Sequence, residues 1–478
     1  MRINNKGLSE LANCRFMQHG KRVLLTNDIG EYIYLTPVQF DLLADGRLEK
    51  QAPDKFLELI HKNFIRKRIN LQLLVNRFAQ KHFVGKGVDL HIVILTLRCD
   101  HKCVYCHASA VPIDSKGFDM GLLTARKVVD RIFESPSKAI TIEFQGGEPL
   151  LNFKALQFIV RYALQKNKKA KKVMTFSVVT NLTFMDEKKL SFLAKSGVHV
   201  CSSLDGPARL HDTQRKHPGN GSYRRTVMWL RKLSDESDKR PGYPKPNALV
   251  TVTRSSLNYP RQIIDEYRSL GMSNIHLRWV NPFGMSVHSW DKIKYSPQQF
   301  LSFYYKALDY ILELNKRGIH FTERGAVTFL QKIFLVNDPN FLDLRSPCGA
   351  GIGQLAYNYN GDVYTCDEGR MLSRMNDESF KVGSVSVQSY EDYISNPVVQ
   401  TVCTASCLDV IPGCSECVFK PYCGTCPVYN YKVHGDLCRN AVFTCEIKKG
   451  ILTHLFKKME DPKNKEIFFK WIGVREAA

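Results

Sequence analysis

HIVILTLRCDHKCVYC, residues 91–106, runs from an apolar stretch straight into three cysteines, and no other segment constrains the architecture as tightly. Ile92–Thr96 is strand-length, β-branched and almost continuously apolar, as expected of a strand covered on both faces. Cys99, Cys103 and Cys106 follow on the loop leaving its carboxyl end. Three thiolates so close together suit a soft metal assembly. They can hold three corners of an iron–sulfur cluster and leave one iron open, the arrangement of a catalytic rather than a structural metal site. A zinc knuckle completed by His101 or His107, or three buried thiols, are the competing readings of the spacing alone.

Outward from this segment, strand-like runs alternate with amphipathic helices. Further strands are expected at Ile140–Phe144, Thr175–Thr180, Val198–Ser203, Ala248–Thr253 and Ile275–Trp279, with helices including Leu123–Phe133, Phe153–Gln165 and Arg261–Leu270. Six such strands imply a parallel α/β sheet, either open or closed into an incomplete barrel, with ligands at the carboxyl ends of the strands. Cys99, Gly146–Glu148, Asn181 and Asp205 all fall at such ends. Gly146 and Gly147 permit a close backbone approach, and Glu148 offers an acceptor to a cation. Cys201, within a strand, reads as a core residue.

The C-x₃-C-x₂-C element resembles the signature of the radical S-adenosylmethionine (SAM) superfamily, and Glu143–Pro149, EFQGGEP, resembles that family's second signature. The resemblance implies a partial (β/α)6 TIM-like barrel carrying a [4Fe–4S] cluster on Cys99, Cys103 and Cys106, whose open iron chelates S-adenosylmethionine. It places Tyr105 beside the nucleoside and Gly146, Gly147 and Glu148 at the methionine ammonium. Asn181 then faces ribose or carboxylate, and Arg215 a substrate carboxylate. Asp205 is left between ribose binding and a turn cap. Arg278 is a pocket candidate whose bland alternative is an ion pair with Glu143.

Fifteen cysteines are many for such a chain, and ten of them lie between Cys348 and Cys445. Pairs clustered in this way, without an export signal, point to metal rather than disulfides. The later field resembles the SPASM domain of peptide- and protein-modifying radical SAM enzymes. By that resemblance Cys414, Cys417, Cys423 and Cys445 hold one auxiliary [4Fe–4S] cluster, and Cys348, Cys366 and Cys426 hold another. Two departures stand out: Cys423 and Cys426 are one residue closer than usual, and no cysteine shortly precedes Cys348. Cys403, Cys407 or Cys438 is then the candidate fourth ligand, unless that iron is open. Zinc on Cys403 and Cys407 is the competing reading. Asp367 resembles the catalytic aspartate of sulfatase-maturing relatives, with Glu368 as its neighbouring competitor and a turn-satisfying surface role as the alternative.

Composition narrows the class. The chain of 478 residues is 44% hydrophobic and 24% charged, ordinary for a globular protein, and lacks an apolar run of membrane-spanning length. Its start has no signal-peptide core, so a cytoplasmic protein is expected. The formal net charge of +22 invites a nucleic-acid reading. Three thiolate-bound clusters would lower it only to about +17 or +18. No concentrated basic patch accompanies it, and nucleic acid is disfavoured against an acidic peptide or electron donor.

The expected organisation is 1–85 as a small winged-helix-like module, 86–296 as the barrel, 297–344 as a helical bridge, 345–450 as the SPASM region and 451–478 as a tail. In the module, Arg22–Leu25 and Glu31–Leu35 read as strands. Thr36–Pro37 opens a helix through Leu43, with further helices over Phe56–Lys62 and Ile69–Phe78. Across residues 15–450 the motifs, including SLDGP, NPFG, YNYNGDVYTCDEGRML and PGCSECVFKPYCGTCPV, look like those of the His-Xaa-Ser system radical SAM maturases (HxsB). That resemblance implies an oxidative modification, such as a side-chain crosslink, in a ribosomally made precursor peptide with His-Xaa-Ser repeats. It also implies companion maturation proteins, a one-electron donor such as flavodoxin or ferredoxin, and leader-peptide recognition by residues 1–85. The alternatives are a sulfatase-maturing type enzyme forming formylglycine from Ser or Cys, or a metal-stabilised peptide-binding partner with little catalysis.

Overall fold

The computed structural model describes residues 7–81, 86–335 and 344–474. They fall into two compact units, Lys86–Gly325 with Gly349–Cys403, and Met1–Gly85 with Ala326–Cys348 and Thr404–Ala478. The first unit is built on one sheet. Its strands are β1 Leu90–Thr96, β2 Ala139–Gly146, β3 Val173–Thr180, β4 Val198–Ser203, β5 Asn247–Val252, β6 Leu277–Trp279, β7 Gln354–Tyr357, β8 Asp362–Tyr364 and β9 Lys381–Ser384. Their spatial order is β6-β5-β4-β3-β2-β1-β7-β8-β9. β1 to β6 are all parallel and neighbour one another in chain order, each joined to the next through a helical connection, so their carboxyl ends line one edge. This is the mixed α/β architecture expected from the sequence.

Alternation decides which side chains face the helices. Phe144, Phe176, Val178, Val200, Ala248, Val250 and Leu277 are buried, with Phe144 and Phe176 stacked at 6.5 Å. Helices Leu122–Phe133 and Phe153–Ala170 contribute Val128, Ile132, Leu156 and Ile159 to the buried set. The second of these runs five residues beyond the expected end. Its lysine-rich last turns are good helix formers, and cations suit a helix carboxyl end.

Three features differ from the sequence expectation. Ile275–Trp279 is not one strand, because Asn274–Ile275 pairs with Thr322–Glu323 while Leu277–Trp279 pairs with β5. Glu323 Oε1 accepts from Leu277 N at 3.2 Å and stabilises the break. Second, the run after Cys348 adds β7 alongside β1 in parallel, and β8 and β9 antiparallel beyond it. Third, Ala208–Gln214 and Ser222–Lys239 are helices that the sequence reading left unassigned.

In the second unit, Cys14–His19, Arg22–Asn27 and Tyr32–Leu35 form an antiparallel three-stranded sheet followed by helices Pro37–Ala44, Leu48–Gln51, Pro53–His61 and Leu71–Lys81. The first strand is absent from the sequence reading because Arg15 occupies an inward position, where it pairs with Asp28 at 2.8 Å. Thr36 and Gln39 form a reciprocal capping box at the first helix. Residues 442–471 are two helices, Val442–Lys458 and Pro462–Trp471, that bury Ile451, Leu455, Phe456 and Phe468. No described helix is long and apolar enough to cross a membrane. Thr36→Ala should cost the first helix about 1 kcal/mol, read as faster amide hydrogen exchange over Pro37–Ala44 with the β1–β3 amides unchanged.

Candidate active site

The loop after β1 is held by backbone before any side chain is counted. Gly147 N donates to Thr96 O at 2.8 Å, and Glu148 N to Arg98 O at 2.8 Å. A Cβ on Gly147 would lie 2.4 Å from Arg98 O, and one on Gly146 2.2 Å from Thr96 O. The two glycines therefore let β2 lace onto the residues immediately before Cys99. On the other side, Arg215–Lys216 pairs antiparallel with Lys102–Cys103, and Val104 N donates to Gln214 O at 2.9 Å. Cys99 and Cys103 are thus strapped from two directions.

Polar side chains complete the support. Asn181 Nδ2 lies 2.9 Å from Asp100 Oδ1 and 3.8 Å from Cys99 Sγ, while His101 N donates to that sulfur at 3.4 Å. Asp100 Oδ1 is 2.8 Å from His101 Nδ1, and the other ring nitrogen contacts Ser222 Oγ at 2.7 Å. His211 Nε2 reaches the same hydroxyl at 3.0 Å, and His217 Nε2 lies 3.1 Å from Asp100 Oδ2. Asp100, His101, His211, His217 and Ser222 were not among the predicted site residues, His101 having been weighed only as a zinc ligand. The local signal for Asp100 and His101 is their place, with Lys102, between the first two cysteines, whereas His211, His217 and Ser222 reach them from a later segment of the chain. Cys99, Asp100 and His101 bring ligand atoms within 4.8 Å of one another. Asp100 Oδ1 and the His101 ring are also engaged with Asn181 and Ser222.

Asp205 is fully buried and accepts from Tyr105 OH at 2.6 Å and Thr251 N at 3.3 Å. Arg215 Nη1 donates to the same phenol at 2.9 Å. Burial pushes the Asp205 carboxyl up to about 6, against the pull of Arg215 and the Tyr105 hydrogen bond. Arg215 Nε is buried with no partner among the described residues, a donor that a bound carboxylate would satisfy. Glu148 is also fully buried. It accepts from Leu150 N at 2.9 Å, Thr180 Oγ1 at 2.7 Å and Asn181 N at 2.7 Å, so it ties β3 to the β2 end. Burial raises its carboxyl to about 7, with these hydrogen bonds opposing. Burial likewise pushes the Cys103 thiol up to about 12 and Cys99 further, a cost that metal ligation reverses.

Below this end, strand register gathers a second set on one sheet face. Glu143 pairs with Ser177, Ser177 with His199, Cys201 with Val179 and Asn247, Ser203 with Leu249, and Thr251 with Arg278. These positions are partly exposed where their neighbours are buried. Cys201 is therefore half-buried on this open face, unlike the core residue expected. Glu143 accepts from Gln145 at 2.7 Å and Ser177 at 3.2 Å rather than pairing with Arg278, which is exposed and acts on it only through space. Asp367 is buried and accepts from Arg370 Nε at 2.7 Å. It acts electrostatically on both Glu143 and His107.

Residues 93–239 match the Radical SAM superfamily model. The chain carries a radical SAM core. Among curated proteins it is 22% identical to the radical SAM cyclopropyl synthase TigE of Paramaledivibacter caminithermalis, over 92% of this chain and 87% of that one. It is 24% identical to the cysteine-type anaerobic sulfatase-maturating enzyme of Clostridium perfringens, over 56% and 71% respectively. Among solved structures it is similar to anSMEcpe with bound AdoMet, with a TM-score of 0.66 and 17% identity over 80% of this chain and 98% of that one. It is also similar to Streptococcus suis SuiB bound to the precursor peptide SuiA, with a TM-score of 0.52 and 16% identity over 88% and 95%. The fold is thus that of radical SAM enzymes with a cysteine-rich, SPASM-like extension.

The donor set of the radical SAM core fits an iron–sulfur cluster with S-adenosylmethionine: three thiols on one strapped loop, a buried unpartnered guanidinium nitrogen and buried carboxylates beside it. When bound, this pair supplies reductive cleavage of the sulfonium to a 5′-deoxyadenosyl radical. In the extension, Cys414 is electrostatically close to Cys417, Cys423 and Cys445, and Asn440 Nδ2 donates to Cys414 Sγ at 2.8 Å. Cys445 sits on helix Val442–Lys458, and Cys426 caps helix Pro427–His434 by accepting from Tyr429 N at 3.3 Å. Cys366 caps Asp367–Ser373 by accepting from Gly369 N at 3.3 Å and belongs to the same unit as the radical SAM core, whereas Cys348 and Cys426 belong to the other. Cys438 is exposed, and Cys403 and Cys407 are half-buried.

Two outcomes follow from the support of this core. Gly147→Ala should remove the iron bound at the Cys99 loop while leaving iron at the later cysteines, measured by iron analysis against a Cys99→Ala/Cys103→Ala/Cys106→Ala background. Glu148 has a folded pKa above its unfolded one, so the native state retains a proton that the unfolded chain releases. Stability should therefore fall as pH rises from about 4.5 to about 7, and Glu148→Gln should flatten that slope in thermal melts of the reconstituted protein.

Proposed function

We propose that the protein uses S-adenosylmethionine cleavage at the Cys99, Cys103 and Cys106 cluster to oxidise a side chain of a peptide or protein substrate. The observation that carries this reading is the open sheet face from Glu143 to Arg278, which leads up to the strapped cysteine loop. A parallel sheet normally buries both faces. Here every second position is polar or half-exposed, which suits a polar segment lying beneath a radical source. The protein's task is then to hold one C–H bond in reach and to exclude competing reactions.

Two chemistries share this site. Oxidation of Ser or Cys to formylglycine is supported by the likeness to the sulfatase-maturating enzyme and by Asp367, a carboxylate facing the same region that can take the proton leaving with the oxidised radical. Its buried partner Arg370, 2.7 Å away, fixes the orientation of that carboxylate. A crosslink in a precursor peptide, as in the His-Xaa-Ser systems, is supported by matched length. The likeness to SuiB bound to the precursor peptide SuiA extends over 88% of this chain, against 80% for anSMEcpe. The edge strand Cys14–His19 would then offer an extended leader peptide a place to add to the sheet.

Anaerobically reconstituted protein with a chemical reductant and S-adenosylmethionine should form 5′-deoxyadenosine, and Cys103→Ala should abolish it while the auxiliary-cluster absorbance persists. Zinc in place of iron in the wild type would refute the proposal. With candidate peptides, an aldehyde captured by a hydrazide identifies formylglycine, whereas loss of two hydrogens without aldehyde reactivity, together with missing backbone fragments between two residues in tandem mass spectrometry, identifies a crosslink. In either case Asp367→Asn should lower modified peptide per 5′-deoxyadenosine by about a hundredfold or more, the lower range of general-base contributions.

A further inference from the structure

Two lysines are buried around one corner of the later cysteine field. Lys332, on helix Arg324–Phe334, is 6% exposed, and Lys448, on helix Val442–Lys458, is 2% exposed. Lys332 Nζ donates to the carbonyls of Leu344 and, at 3.3 Å, of Cys423. Lys448 Nζ donates to the next carbonyl, that of Gly424, at 3.3 Å. Two ammonium groups from separate helices thus converge on consecutive peptide units at Cys423. Both ammonium groups lie where water is largely excluded, and both donate to the peptide units of the turn that carries the Cys423 sulfur. Charges held in such an interior act more strongly on a neighbouring group than solvated ones do.

We propose that Lys332 and Lys448 set the reduction potential of an iron–sulfur cluster held by Cys414, Cys417, Cys423 and Cys445, favouring its reduced form. This rests on the cluster assignment above. A cluster with four thiolates is negative, and one-electron reduction makes it more so by a full charge. Fixed cations in a poorly screened interior stabilise the extra electron more than solvated ones can. Lys449 supplies the internal contrast. It acts on Cys414 and Cys445 but is exposed to solvent, so its charge is screened. The lysines therefore make the cluster a better acceptor of the electron that a substrate radical releases on oxidation.

The test is a potentiometric titration of the reconstituted full-length protein followed by electron paramagnetic resonance, in a Cys99→Ala/Cys103→Ala/Cys106→Ala background that removes the first cluster. Lys332→Met and Lys448→Met should each shift the oxidised-to-reduced ratio at fixed potential about tenfold toward oxidised, which for a one-electron couple is about 59 mV more negative. Lys448→Arg should restore most of the shift, and Lys449→Met should change the ratio less than about twofold. Full iron content with an unmoved potential overturns the proposal. Loss of iron in both Met variants overturns it as well, assigning the lysines to folding. Absence of any reducible cluster in the parent protein would instead sink the cluster assignment on which it rests.

Discussion

The carboxyl ends of β1 and β2 approach so closely that a single methylene would not fit between them. Gly146 and Gly147 pass against the carbonyls of Thr96, Leu97 and Arg98, and the hydrogen bonds from Gly147 N and Glu148 N fix the chain just before Cys99. The amino-terminal side of the cysteine loop is hung from that contact. Cys99 begins where it ends, Glu148 carries it on to Thr180 and Asn181, and Asn181 returns to Asp100 and the Cys99 sulfur. The glycines act here less as a cradle for a ligand than as the joint that positions the loop beneath it.

A second support, Arg215–Lys216 against Lys102–Cys103, uses the same segment that supplies the Arg215–Tyr105–Asp205 chain. Binding groups and scaffold are therefore not separable at this site. Removing the Tyr105 hydroxyl would take its shortest hydrogen bond from the buried Asp205, leaving that from Thr251 N, and would take an acceptor from Arg215 Nη1, a loss of about 1–3 kcal/mol that would obscure any role it has toward a nucleoside.

The parallel strands and the cysteine loop were legible because apolar runs of strand length and closely spaced thiols are local signals. So were the Thr36 cap and the helix over Pro37–Ala44. What escaped was long-range. Nothing in QLAY, Gln354–Tyr357, announces that it will lie beside Leu90–Thr96, more than two hundred residues earlier, because sheet pairing is chosen by the register of partners rather than by the strand itself. Cys14–His19 was hidden by an inward arginine whose partner, Asp28, lies in a turn. His101, Ser222 and His211 meet through a helix that the sequence left unassigned, and neither buried lysine near Cys423 can be told from a surface lysine without its partners.

The six parallel strands carry two independent texts on alternate letters. Phe144, Phe176, Val178, Val200 and Val250 are enclosed by the helices and sustain the fold, whereas Glu143, Ser177, Cys201, Thr251 and Arg278 stand between them on the other side. Replacing members of the second group creates no void in the first, so the lineage can rewrite what the protein handles without gambling its structural integrity. Insertions enjoy no such tolerance, since one added residue would transpose the two texts along a whole strand. Diversification within this scaffold is thus confined to exchange of letters, never to a change in their spacing.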